Sequence, residues 1–100
     1  NHLIQWRRNI LQRVQGETVV TPEHNYFVPV IDPSELAWQQ SLQTLAKSQE
    51  AWNTFLADFK EDDLEKIYVN NNHTFYEHIH GIIQHDVYHL GQIVILKKLL

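Results

Sequence analysis

The sequence predicts an all-α fold, a bundle of helices, and three observations carry that prediction. Apolar residues recur at the three- and four-residue spacing of one buried helix face in three stretches, near 2–15, 33–59 and 75–100. The second and third stretches open with capping signals, Asp32-Pro33-Ser34-Glu35 and Thr74 followed by Glu77. The composition, 43% hydrophobic with only three Gly and three Pro, is that of a packed globular chain rather than a disordered one.

At 100 residues the chain has room for one domain, 1–100, with a modest core. A formal net charge of -4 argues against nucleic acid, which calls for a basic patch, and against anionic membrane surfaces. There is no Cys, which excludes disulfides, Cys-ligated zinc and a Cys nucleophile. That fits a reducing compartment, and with no membrane-length apolar run and no signal peptide the expectation is a cytoplasmic protein. The absence of Met, and a first residue that already reads as helix, suggest that the chain begins inside a longer protein.

Taken in order, the first helix spans 2–15, with Leu3, Trp6, Ile10 and Val14 on one face and His2 at that face's edge beside Trp6 and Asn9. Gly16 can supply a left-handed C-cap. Residues 16–32 carry Pro22, Pro29 and no helical period. They read as a long crossover, with Thr18-Val19-Val20 and Phe27-Val28 as candidate extended pieces, and connections of that length commonly serve function or cover something. The second helix runs over 33–59, with Asp32 as cap and Pro33 in its first turn. Its stripe is Trp38, Leu42, Leu45, Trp52, Leu56 and Phe59, interrupted by Gln49. Lys60-Glu61-Asp62-Asp63 breaks the pattern, Leu64 to Val69 fits a helical turn or an extended piece, and Asn70-Asn71-Asn72 is a turn. The third helix, 75–100, draws its apolar surface from Ile79, Ile82, Ile83, Leu90, Ile93, Val94 and Leu96. Gly81 and Gly91 inside it suggest close approach of another backbone or room for a bound group. Three helices with apolar faces this wide call for a fourth, from further chain or from a second copy.

The chemistry concentrates in the third helix. His85 and His89 stand four apart and project from one face, one turn apart, so both imidazoles can reach a common ion at about 2.0–2.1 Å. The third ligand would come from another helix. Seven His in 100 residues give about half such a pair by chance, so surface or core histidines are the competing account. The apolar turns around the pair, Ile82-Ile83 and Leu90, favour a site, and Gln92 continues the same face. His85-Asp86-Val87-Tyr88-His89 superficially resembles the H-E-x-x-H of zinc peptidases, but Asp86 is one methylene shorter than the catalytic Glu and is expected to point away, to solvent or to a second helix. Tyr88 is a pocket candidate or a packing residue. His78, two turns or about 10.5 Å before His85, is too distant to share its ion easily and reads as packing or pocket lining. His24, His73 and His80 read as solvated or capping residues, Glu50 and Glu77 as surface and capping carboxylates, and Arg7, Arg8 and Arg13 as a solvated face.

The run from Tyr76 to Ile93, with His85-Asp86-Val87-Tyr88-His89-Leu90-Gly91-Gln92 at its centre, resembles the last helix of the DinB-like family, which includes the YfiT-type proteins. Asn1-His2-Leu3-Ile4-Gln5-Trp6 resembles that family's second helix, and the helix starts at Asp32 and Thr74 fall where its third and fourth helices begin. The resemblance covers essentially the whole chain. It implies an up-down-down-up four-helix bundle of which three main helices lie here, the first having no counterpart in these residues. It also implies His2, His85 and His89 as ligands of one divalent metal ion, nickel or zinc, and a homodimer. Relatives of this kind act on small molecules as thiol transferases or isomerases using a low-molecular-weight thiol, or as hydrolases, so a metal-dependent S-transfer or hydrolysis is the expectation. The alternative is a non-catalytic helical dimerisation or stress-response module whose histidine cluster is structural or vestigial.

Overall fold

The structure, a computed structural model, describes residues 1–100. Three helices dominate it: α1 (His2–Val14), α2 (Glu35–Asp58) and α3 (Phe75–Leu99). Between α2 and α3 lie a 3₁₀ turn at Glu61–Glu65 and a two-stranded antiparallel ribbon, β1 (Ile67–Tyr68) with β2 (His73–Thr74). The segment expected to be either helical or extended is thus both in succession. The crossover over 16–32 forms no strand; its one organised piece is a turn near Glu23–Tyr26.

Local chemistry explains the helix ends. Gly16 adopts φ +91°, a left-handed conformation that glycine reaches without a Cβ penalty, and its N–H closes on the Arg13 carbonyl. Thr74 and Glu77 form the expected reciprocal capping box at the start of α3. The cap of α2 differs from expectation: Ser34, not Asp32, is the N-cap, and its hydroxyl accepts the Ala37 N–H. Asp32 instead folds a turn by accepting the Ser34 N–H, so Pro33 lies outside the helix and Glu35 is its first residue. The Glu35 side chain reaches forward to Gln39 rather than back to the cap.

Helix α1 is the centre of the arrangement, with α2 and α3 both packed on it. Ile10, Val14 and Trp52 form the buried core, walled by Trp6, Leu11, Phe55, Phe75, Ile79 and Ile82. The Trp52 indole N–H donates to the Arg7 carbonyl, so the largest core side chain is satisfied as well as packed. The crossover is tied down at two places. The Tyr68 hydroxyl meets the backbone N–H and carbonyl of Val19, and the buried Asn9 amide donates to Thr21 and to the Tyr26 hydroxyl.

Four expectations are corrected here. The α2 stripe is buried only in part: Trp52 is in the core, while Trp38, Leu42 and Leu56 are exposed. The same holds on α3 for Ile83, Leu90, Ile93, Val94 and Leu96. A side chain is buried only where a neighbouring helix covers it, and α1 covers one flank of each. Gly81 and Gly91 face open space, with nothing within 4 Å of an added Cβ, so neither marks a close backbone approach. The arginines do not form a solvated face as a group: Arg7 is ion-paired to Asp86 and Arg13 lies 5.0 Å over the Tyr68 ring.

Candidate metal centre

Helix α3 presents His85 and His89 one turn apart, and α1 presents His2 from its first residue toward the same point. The His85 Nε2 lies 3.0 Å from the His2 Nε2 and 3.1 Å from the His89 Nε2. Ligand atoms of all three fall within 4.8 Å of one another, and each residue is partly buried. The sequence spacing brought His85 and His89 together; the fold adds His2 from 83 residues away.

The His2 Nδ1 lies 2.7 Å from the Asn25 carbonyl oxygen, a pure acceptor, so the ring proton belongs on Nδ1 and the Nε2 carries a lone pair. That lone pair points at the His85 Nε2, which can offer one proton at most and has two nitrogens to satisfy. The cluster therefore cannot be closed by hydrogen bonds among its members, and a cation between them would satisfy every lone pair at once. The two spacings to His85 agree: ligands at about 2.0–2.1 Å from one ion stand about 2.9 Å apart in octahedral and about 3.3 Å apart in tetrahedral geometry. The donor set fits a divalent metal ion of the borderline class that imidazole prefers.

Burial favours the neutral form of His85 and His2. Burial lowers the His85 pKa to about 4, helped by the neighbouring His89 and His2. Burial also lowers that of His2, against the opposing hydrogen bond to Asn25. Neutral imidazole is the form that ligates.

Aromatic rings brace the cluster. Trp6 stacks on His85 with centroids 4.2 Å apart and planes at 16°, and Phe27 stacks on His2 at 3.9 Å and 13°. Beside the cluster opens an apolar cavity of about 740 Å³, lined by His2, His89, Gln92, Leu42, Ile93 and Leu96 among others. Gln92 thus stands where its position on the helix suggested. Tyr88 does not line this cavity; it is largely exposed, with its hydroxyl accepting from Gln92.

Asp86 points away from the cluster to a second helix, the latter of the two directions expected, pairing through both carboxylate oxygens with Arg7. It is therefore not placed as a peptidase base. His78 is buried against Tyr68 and Asn71, His73 pairs with Glu77, His24 accepts from the Tyr26 backbone N–H, and His80 stacks on Tyr76. None joins the cluster. Sequence reading missed Asn25, Phe27 and the stacking face of Trp6. The one available signal was an unusually long crossover carrying aromatic residues.

No curated protein and no solved structure gives a match to this chain. A family model does: that of the DinB superfamily matches residues 1–93, a span that includes all three converging histidines. With that match over nearly the whole chain, and three helices arranged as part of an all-α bundle, the chain belongs to the DinB superfamily.

Proposed function

We propose that His2, His85 and His89 bind one divalent metal ion, nickel or zinc, and that the protein is a metal-dependent enzyme acting on a small molecule by thiol S-transfer or hydrolysis. The observation that carries this reading is the convergence of three imidazoles, one with its tautomer fixed by the Asn25 carbonyl, on a point that no internal hydrogen-bond scheme can satisfy. A bound ion of this kind supplies Lewis acidity, holding a water or a thiol as its anion at neutral pH. The chain's own residues do the rest. His2, His85 and His89 leave one side of the cluster facing the apolar cavity, where Leu42, Ile93 and Leu96 would hold an apolar portion of a substrate. Gln92, on the same wall, supplies an amide to orient a polar group, and Phe27 shields the outer face of His2. No side chain near the cluster stands out as a general base.

The test is the metal content of the purified protein by elemental mass spectrometry, beside a His85→Ala/His89→Ala double variant. Near-stoichiometric zinc or nickel in the wild type, lost in the variant, is expected. A thiol-conjugation assay with and without added metal then tests turnover. No metal in either protein after reconstitution sinks the reading. A second reading, a helical dimerisation module with a vestigial cluster, is favoured by the exposed apolar faces of α2 and α3. It gains if the double variant stays dimeric and the wild type binds no ion.

A further inference from the structure

The crossover hydrogen-bonds to the cluster through a single residue. The Asn25 backbone carbonyl accepts from His2 Nδ1 at 2.7 Å, and its side-chain Oδ1 accepts the Trp6 indole N–H at 3.1 Å. Trp6 in turn stacks on His85. One residue is therefore bonded to one histidine directly and braces a second through a ring. The backbone there is unusual: Asn25 has φ +47° and Tyr26 φ +62°, two successive left-handed residues, neither of them glycine. Asn tolerates that region; for Tyr it is costly. The strain is held in place from α1, because the buried Asn9 amide donates to the Tyr26 hydroxyl at 2.8 Å. The turn is closed by the Asn25 N–H on Pro22 and the Phe27 N–H on His24. That last bond carries Phe27 onto the open face of His2.

We propose that Asn25 is a positioning residue that fixes the tautomer and aim of His2 and, through Trp6, the ring plane of His85. A ligand histidine that donates its second nitrogen to a carbonyl is held in one orientation, and loss of such a partner weakens metal binding by about 10–100-fold. The left-handed turn is what brings carbonyl and side chain of the same residue to bear on both rings. The inference rests on the metal reading above, and its test is arranged so that the two fail separately.

Asn25→Gly permits the backbone conformation, so the carbonyl stays on His2, and removes only the Oδ1 acceptor; Asn25→Asp keeps an acceptor oxygen and tolerates the same φ, whereas β-branched Asn25→Val disfavours that φ and draws the carbonyl off His2. Trp6→Phe removes the indole donor from the other end. Two readouts are made on each: zinc affinity by chelator competition, and the tautomer of His2 in the metal-free protein by nitrogen-15 imidazole spectra. Asn25→Gly and Trp6→Phe should each lower zinc affinity about tenfold. The double variant should be no worse than either single, Asn25→Asp should recover most of the loss, and His2 should keep its Nδ1–H form in Asn25→Gly but become a mixture of tautomers in Asn25→Val. Wild-type affinity in Asn25→Gly, losses that add in the double variant, or an unchanged His2 tautomer in Asn25→Val overturn the proposal. If the wild type binds no zinc, the metal reading falls. The spectra of the metal-free protein still decide the role of Asn25, since a His2 tautomer that ignores Asn25→Val refutes it.

Discussion

At the scale of single residues, the protein holds several histidines in the neutral form by burial, and this has a consequence for stability that does not depend on a metal. His78 is 7% exposed and lies against Tyr68; burial, then the Arg13 charge, then His73, hold its pKa below the ordinary value, with Glu77 opposing. A pKa lowered on folding means that the unfolded chain binds protons more readily than the folded one as pH falls below the usual histidine value of about 6.5. Stability contributed by neutral His78 is thus present above that value and lost as pH falls toward the folded pKa. His2 and His85 act in the same direction. Urea unfolding of the metal-free protein should give a midpoint that drops from pH 7 to pH 5, and His78→Gln should make that drop shallower. A pH-independent midpoint would show that the folded protein binds protons at His78 as readily as the unfolded chain.

Among elements, what matters is how α1 and α3 are held in register, because they carry the three converging histidines. Arg7 on α1 forks onto both oxygens of Asp86 on α3, next in sequence to His85, and reaches Gln49 on α2 as well. The side chains are 13% and 31% exposed, so the pair lies between the surface case and the buried one. Asp86→Ala should cost about 1–2 kcal/mol of stability, above the surface range and below that for stranding a fully buried charge. Zinc should still bind, because Asp86 is tied to Arg7 and not to the cluster. Thermal melting with and without zinc measures both; loss of zinc binding in a protein that still melts cooperatively would return Asp86 to the site. The elements themselves were legible in the sequence because their signals are local: the Thr74–Glu77 box, Gly16 and the apolar periodicity each act within a turn or two. Asn25 was not legible. Its role depends on a carbonyl and an amide meeting rings on another element, and nothing about an Asn between two prolines announces that. The α2 cap was misread for a related reason: Asp32 and Ser34 are both good caps, and the choice between them is settled by the turn that Asp32 makes.

Across the whole molecule, the apolar pattern read from sequence outruns the burial that three helices can provide. Helix α1 is the shortest of the three, and Leu42, Ile93 and Leu96 meet its first residues only across the open apolar cavity. Trp38, Leu42 and Leu56 on one side and Ile93, Val94 and Leu96 on the other stand 40% to 60% exposed. Periodicity reports which residues prefer to leave water, not which partner takes them, so the sequence indicated the need for a further helix without indicating its source. We propose that a second copy of the chain supplies the cover. The same bundle geometry would then be completed by a symmetric helical dimer in which the second copy closes the cavity from outside and leaves its interior, lined by Leu42, Ile93 and Leu96, to the substrate. Sedimentation velocity should show a dimer. Leu56→Gln with Val94→Gln, two exposed residues outside the cavity, should shift it toward monomer while leaving the Ile10–Val14–Trp52 core and its helical signal in place. A wild type that sediments as a monomer at all concentrations would remove the dimer from this account without touching the histidine cluster, since His2, His85 and His89 all belong to one chain. A dimer that survives both substitutions would locate the interface elsewhere.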